Sequence, residues 1–72
     1  MSKYAIILEK SRTGYSAYVP DLPGCVAAAA SFAQTEKLIR ESIQLHLEGM
    51  RQDGEPIPTP TTIVAMVEVP AA

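Results

Sequence analysis

Glu55-Pro-Ile-Pro-Thr-Pro60 is the stretch that most limits what this chain can fold into. Prolines at alternate positions hold φ at about −65° and remove the backbone donors that a helix or a central strand needs. The segment therefore runs extended, as a semi-rigid spacer rising about 3.1 Å per residue in polyproline geometry. It divides the sequence into a body, residues 1–54, and a tail, Thr61-Thr-Ile-Val-Ala-Met-Val-Glu-Val69. In that tail Ile63, Ala65, Val67 and Val69 alternate with Val64 and Met66, which predicts the strongest strand of the chain, apolar on both faces. A strand on a stiff arm can pair at home or be exchanged with a second copy.

The body predicts three further strands and one helix. Residues 3–9 (KYAIILE) form an apolar, partly β-branched run bounded by Lys10-Ser-Arg-Thr-Gly14. Residues 15–19 (YSAYV) alternate Tyr15, Ala17 and Val19 against Ser16 and Tyr18, so the two runs make a hairpin that Pro20 closes. Residues 25–30 (CVAAAA) read as a short strand, because Ser31-Phe-Ala-Gln34 has the form of a helix-capping box directly after it. Small side chains there would let a helix lie close on the sheet.

From Phe32 to about Gln52 the periodicity is helical, and 100° per residue separates the faces. Phe32, Ile39, Ile43, Leu47 and Met50 share the core-facing arc, flanked by His46, and Glu36 falls on it as well. Lys37, Arg40, Glu41, Gln44, Glu48 and Arg51 form the solvated face. A second stripe, Leu38, Ser42, Leu45 and Gly49, lies beside the core arc, and its small residues suit close approach by another element. Gly54 follows the helix as a left-handed stop. The order is thus β-β-β-α-β, an α+β fold with one helix on a mostly antiparallel sheet. One helix covers only one face, yet the first and last strands are apolar on both, so a partner is needed to cover the other.

Size argues the same way. A 72-residue chain buries only about 60% of the surface its unfolded form exposes, and such domains are reinforced by disulfides, metals or association. Cys25 has no second cysteine to pair with, and one Cys with one His (His46) cannot supply a structural zinc site. Association remains. Six basic against eight acidic residues, a net charge of −2, give no electrostatic footprint for direct nucleic-acid binding. The apolar run Tyr4–Leu8 is too short for a signal-peptide core or a membrane span. A cytoplasmic protein, with one domain over residues 1–72, is expected.

The densest cluster of unusual residues, Tyr18-Val-Pro-Asp-Leu-Pro-Gly-Cys25, reads as a turn rather than a catalytic loop. Pro23 presets position i+1 and Gly24 supplies the positive φ of position i+2 in a type II turn. Asp21 could accept a hydrogen bond from the free N–H of residue 24 or 25. A Cys25 nucleophile with a His46 base is disfavoured, since no oxyanion-hole motif accompanies them and free cysteines are usually buried. The carboxylates form no metal-binding motif, and no Gly-rich phosphate loop is present. No catalytic residue, metal or cofactor is expected.

The run GYSAYVPDLPGC, the small-residue strand, the helix segment IRESIQLHLEGM and the link QDGEPIPTP together resemble the HicB-like antitoxin family over nearly the whole chain. That resemblance implies a partial ribonuclease H-like fold of the order derived above, self-assembly into dimers or larger oligomers, and steric inhibition of a small HicA-type toxin that cleaves messenger RNA. Full-length antitoxins of this type usually carry a C-terminal DNA-binding domain; the resemblance covers the domain that precedes it, a C-terminal DNA-binding domain is not expected within residues 1–72, and operator binding is not implied. The ribonuclease resemblance is one of fold alone, because these strands lack an acidic metal-binding set.

The expected contacts are Leu38, Leu45 and Gly49 for self-association and Tyr15, Tyr18 and Asp21 for the partner edge. The competing reading is an oligomeric module of the same fold that binds a protein or small molecule and has no toxin.

Overall fold

The computed structural model describes residues 2–71. Three strands, β1 (Ile7–Ser11), β2 (Gly14–Tyr18) and β3 (Val26–Ala29), precede one helix, α1 (Phe32–Gln52). The strands form an antiparallel sheet in the order β1-β2-β3. The body is therefore the β-β-β-α half of the expected order.

Register decides which side chains meet the helix. Leu8, Ala17 and Ala27 lie side by side across the three strands on the covered face. Ile7, Tyr18 and Val26 form the neighbouring row, which the alternation of strands turns to the opposite face. The fully buried apolar core is small: Ala17, Val19, Leu22, Cys25 and Ile39, ringed by Tyr4, Ile6, Leu8, Ala27, Ile43 and Leu47. Alanines at 17 and 27 leave room for Ile39 to reach the sheet. Gly14 serves close approach too, since a Cβ there would collide with the Ala29 carbonyl oxygen and crowd the Ala30 Cα.

The helix begins and ends where its sequence signals stand. Ser31 is the N-cap, its Oγ accepting the Gln34 N–H at 3.1 Å, which satisfies one of the free donors of the first turn. At the other end Gly54 adopts φ 71°, donates to the Arg51 carbonyl at 3.1 Å, and Glu55 donates to the Met50 carbonyl at 2.9 Å. That pair of bonds is a Schellman motif.

Several expectations are corrected. β1 starts at Ile7, not Lys3, because Ile7 faces Tyr18, the last residue of β2, and the chain beyond it turns away at Pro20. Tyr4–Ile6 consequently have no strand beside them. Phe32 is half-exposed rather than core: it sits at the first turn of the helix and packs edge-on against Tyr15 with ring centroids 5.8 Å apart. Its place in the core is taken by Thr35, fully buried one turn before Ile39. Thr35 is tolerated there because its Oγ1 donates to the Ser31 carbonyl at 2.8 Å, so no polar atom is left unsatisfied. Glu36 stays partly exposed beside Arg40, 3.7 Å away.

The largest correction concerns the tail. Residues 61–69, the expected fourth strand, make no ladder with any strand of the chain and are exposed throughout, Ile63 at 90% and Met66 at 92%. The molecule is accordingly elongated, 50 × 26 × 19 Å with a radius of gyration of 14.2 Å, against about 11 Å for a compact chain of this length.

Replacing Ile39 by Ala should cost about 2–5 kcal/mol, as for other fully buried Ile and Leu truncations. Ser31→Ala should cost about 1 kcal/mol through the lost cap. Urea unfolding followed by helical circular dichroism measures both, and equal losses would show that the core is not centred on Ile39.

Candidate functional site

No single cavity concentrates the chemistry of this protein; its candidate sites are surfaces. The Val19–Cys25 loop is the first element that organises them. Cys25 N–H donates to the Leu22 carbonyl at 3.1 Å and Gly24 has φ 85°, which is the type II turn that Pro23-Gly24 predicts. A second closure, Leu22 N–H to the Val19 carbonyl at 3.1 Å, tucks Leu22 into the core and leaves Asp21 at the loop's outer side.

Asp21 does not cap its own turn, because the Cys25 N–H is already committed to Leu22. Its carboxylate reaches 40 residues down the chain instead. Oδ2 accepts the backbone N–H groups of Thr61 at 3.2 Å and Thr62 at 3.1 Å, and Oδ1 accepts their hydroxyls at 3.2 and 2.9 Å. The Tyr4 hydroxyl donates to the Pro58 carbonyl nearby. The proline spacer is thus held at Pro58 and again just beyond its end, at Thr61 and Thr62. The Thr62 N–H does most to hold the Asp21 carboxyl below its usual value of 3.8; desolvation opposes this, and the Thr62 hydroxyl and the Thr61 groups add to the lowering.

Four such donors on one carboxylate are unusual for a surface acid. The signal in the sequence was indirect: adjacent threonines directly after a proline spacer.

The other expected site residues separate. Tyr15 lies on the helix-covered side against Phe32, whereas Tyr18 lies on the opposite face. Tyr15, Tyr18 and Asp21 therefore do not converge on one edge. Tyr18 instead joins Ile7 and Val26 in an apolar row on the uncovered face, with Val26 63% exposed.

Leu38 and Leu45 are exposed on the flank of α1 next to β3, Leu45 at 70%, and Leu38 borders a shallow depression that also includes Ala29, Gln34, Lys37 and Glu41. A Cβ at Gly49 would meet nothing within 4 Å, so nothing within the chain makes use of the space this glycine leaves.

On the opposite flank, Tyr4, Ile43, Leu47 and Ile57 line an open groove of about 950 Å³ between the start of β1 and α1, rimmed by Lys3, Arg40 and Arg51.

Cys25 is buried, its Sγ 3.4 Å from the Ser42 Oγ, in the structural position that its turn requires. His46 is half-buried on α1. Among the described residues no group of three or more His, Cys, Asp or Glu side chains is placed to hold a metal ion, and no helix is long and apolar enough to cross a membrane.

A three-stranded antiparallel sheet with one capped helix, a clamped proline spacer and uncovered apolar faces defines a binding module. The family model described as HicB-like antitoxin of bacterial toxin-antitoxin system matches residues 4–71, and the chain belongs to that family.

Relatives include a UPF0150 protein of Archaeoglobus fulgidus, 41% identical over 56 residues that make up 74% of this chain and 81% of that protein. An uncharacterized 14.9 kDa protein of Haemophilus phage HP1 is 36% identical over 67 residues, 93% of this chain. The chain spans only half the length of that phage relative. Among solved structures, a chain of the HicA3 and HicB3 toxin-antitoxin complex superposes with a TM-score of 0.70 at 33% identity, covering 83% of this chain and 70% of that one. The antitoxin HicB3 crystal structure gives 0.67 at 35% identity, over 79% of this chain and 42% of that one.

The Asp21 clamp has a definite pH dependence. A carboxyl whose folded pKa is depressed contributes its stabilisation fully above the unfolded value and loses it as pH falls through the folded one. The clamp should hold above about pH 4 and release below the lowered Asp21 pKa. The Thr61 and Thr62 amide resonances should titrate together with a midpoint below 3.8, and in Asp21→Ala they should not titrate at all. Independent midpoints would show that the clamp does not form.

Proposed function

We propose that this protein is the antitoxin-type partner of a small, basic HicA-type toxin that cleaves messenger RNA, and that it inhibits by covering the toxin's working surface. The observation that carries the reading is the family match over residues 4–71, joined to the 33% identity with a chain of a toxin-antitoxin complex. Physical chemistry is consistent with it. A net charge of −2 complements a basic partner and speeds encounter with it. The uncovered row Ile7, Tyr18 and Val26 offers an aromatic anchor flanked by apolar side chains, the composition that dominates interface energetics. Inhibition of this kind needs no catalytic group on the antitoxin, and Cys25 and His46 are given none. The action would take place in the cytoplasm, where the messenger RNA is.

Self-association accompanies this role. Leu38 and Leu45, with the clearance at Gly49, supply a contact on the β3 flank of the helix, a different surface from the Tyr18 row. Both surfaces can be occupied at once.

Co-expression tests the reading directly. A HicA-type toxin encoded beside this chain should arrest growth alone, and the chain should restore it and co-purify in a stable complex. Tyr18→Asp should weaken toxin binding by at least about tenfold, as for an aromatic anchor, while leaving the chain folded. Failure of the wild-type chain to bind any neighbouring toxin would favour the oligomeric module without a toxin. Leu45→Asp should lower the solution mass measured by light scattering, and an unchanged mass would remove the helix flank as a self-association contact.

A further inference from the structure

The chain contains an apolar strand without a sheet and an apolar groove without a strand. Residues 63–69 alternate as a strand should, are exposed along their whole length, and touch no ladder. β1 is an edge strand whose outer side pairs with no strand among the described residues, and the groove of Tyr4, Ile43, Leu47 and Ile57 opens beside the segment that leads into it. Free edges next to apolar grooves are the sites at which sheets accept an added strand.

The clamp explains why the chain does not fill its own groove. Asp21 follows the central strand β2, so its four bonds to Thr61 and Thr62 hold the chain at the loop between β2 and β3, one strand away from the outer side of β1. To come back to that edge the chain would have to reverse at Thr61-Thr-Ile-Val64. A β-branched run without Gly, Pro, Asn or Asp is among the poorest sequences for a tight turn.

We propose that residues 63–69 of one copy add as a fourth strand to the free edge of β1 in a second copy, seating one apolar face on the groove of Tyr4, Ile43, Leu47 and Ile57. Length fits: seven residues span about 23 Å, enough to cover the five residues of β1 and part of the extended Tyr4–Ile6 lead-in. The alternative edge fits less well. β3 has four residues, is bounded by the Pro23-Gly24 turn and the helix cap, and has beside it only the shallow depression at Leu38. Exchange is reciprocal, so each copy gives a strand and receives one, a closed two-fold arrangement that leaves neither tail exposed. The exchanged strand and the Leu38–Leu45 flank lie on opposite sides of the helix, so the two contacts are independent.

The test uses the purified full chain without any toxin, so its outcome is separate from that of the antitoxin reading. Methyl-labelled and unlabelled chains are mixed, unfolded and refolded together, and isotope-filtered NOEs are recorded. Intermolecular NOEs are expected from the Ile63, Val67 and Val69 methyls, or from Val64 and Met66, to Ile43 and Leu47. Val67→Pro, placed where the side chain is 80% exposed, should abolish them and lower the solution mass about twofold with helical circular dichroism unchanged. Intermolecular NOEs from the tail only to another tail or to Leu38 and Leu45, their complete absence, or an unchanged mass in Val67→Pro would each overturn the proposal.

Discussion

One helix can cover one face of one small sheet, and everything else in this structure follows from that limit. The contact is made at Ile39, which reaches the sheet because Ala17 and Ala27 are small, and it is closed from below by Val19, Leu22 and Cys25. Among the described residues five buried apolar side chains make the core, a thin one for a chain of 72 residues. The apolar surface that remains, on the outer sheet face, the helix flank and the tail, is what the protein has to offer to partners.

The loop between β2 and β3 links core and periphery. Its turns are closed by backbone bonds from Val19, Leu22 and Cys25, which place Leu22 inside and Asp21 outside. Asp21 then sets the path of the proline spacer through four hydrogen bonds. A residue in the turn and two threonines 40 positions later thus act together to decide where the tail leaves the body. The spacer's stiffness carries that decision outward, because a Gly-rich link of equal length would let the tail wander.

Local signals in the sequence were reliable where local chemistry decides the outcome. Ser31 caps the helix, Gly54 ends it and Pro23-Gly24 turns the chain as their residue types require. What the periodicity misjudged depended on where elements end relative to one another. Phe32 lies on the core-facing arc but stays half-exposed at the helix's first turn against Tyr15, and Thr35 is buried despite its hydroxyl because the carbonyl at Ser31 satisfies it. Asp21 was legible as a turn residue and not as a clamp, since no local pattern encodes a contact across 40 positions. The tail has every property of a strand except a neighbour, and a neighbour cannot be read from a single segment.

The account holds that the tail is a strand completed by another copy of the chain. Amide hydrogen exchange of residues 63–69, followed as a function of protein concentration, tests this most directly, because a backbone N–H without an acceptor exchanges at the rate of an unfolded peptide. Strong protection at high concentration that fades on dilution, while α1 remains protected, is the predicted result. Fast exchange of these amides at every concentration would contradict it.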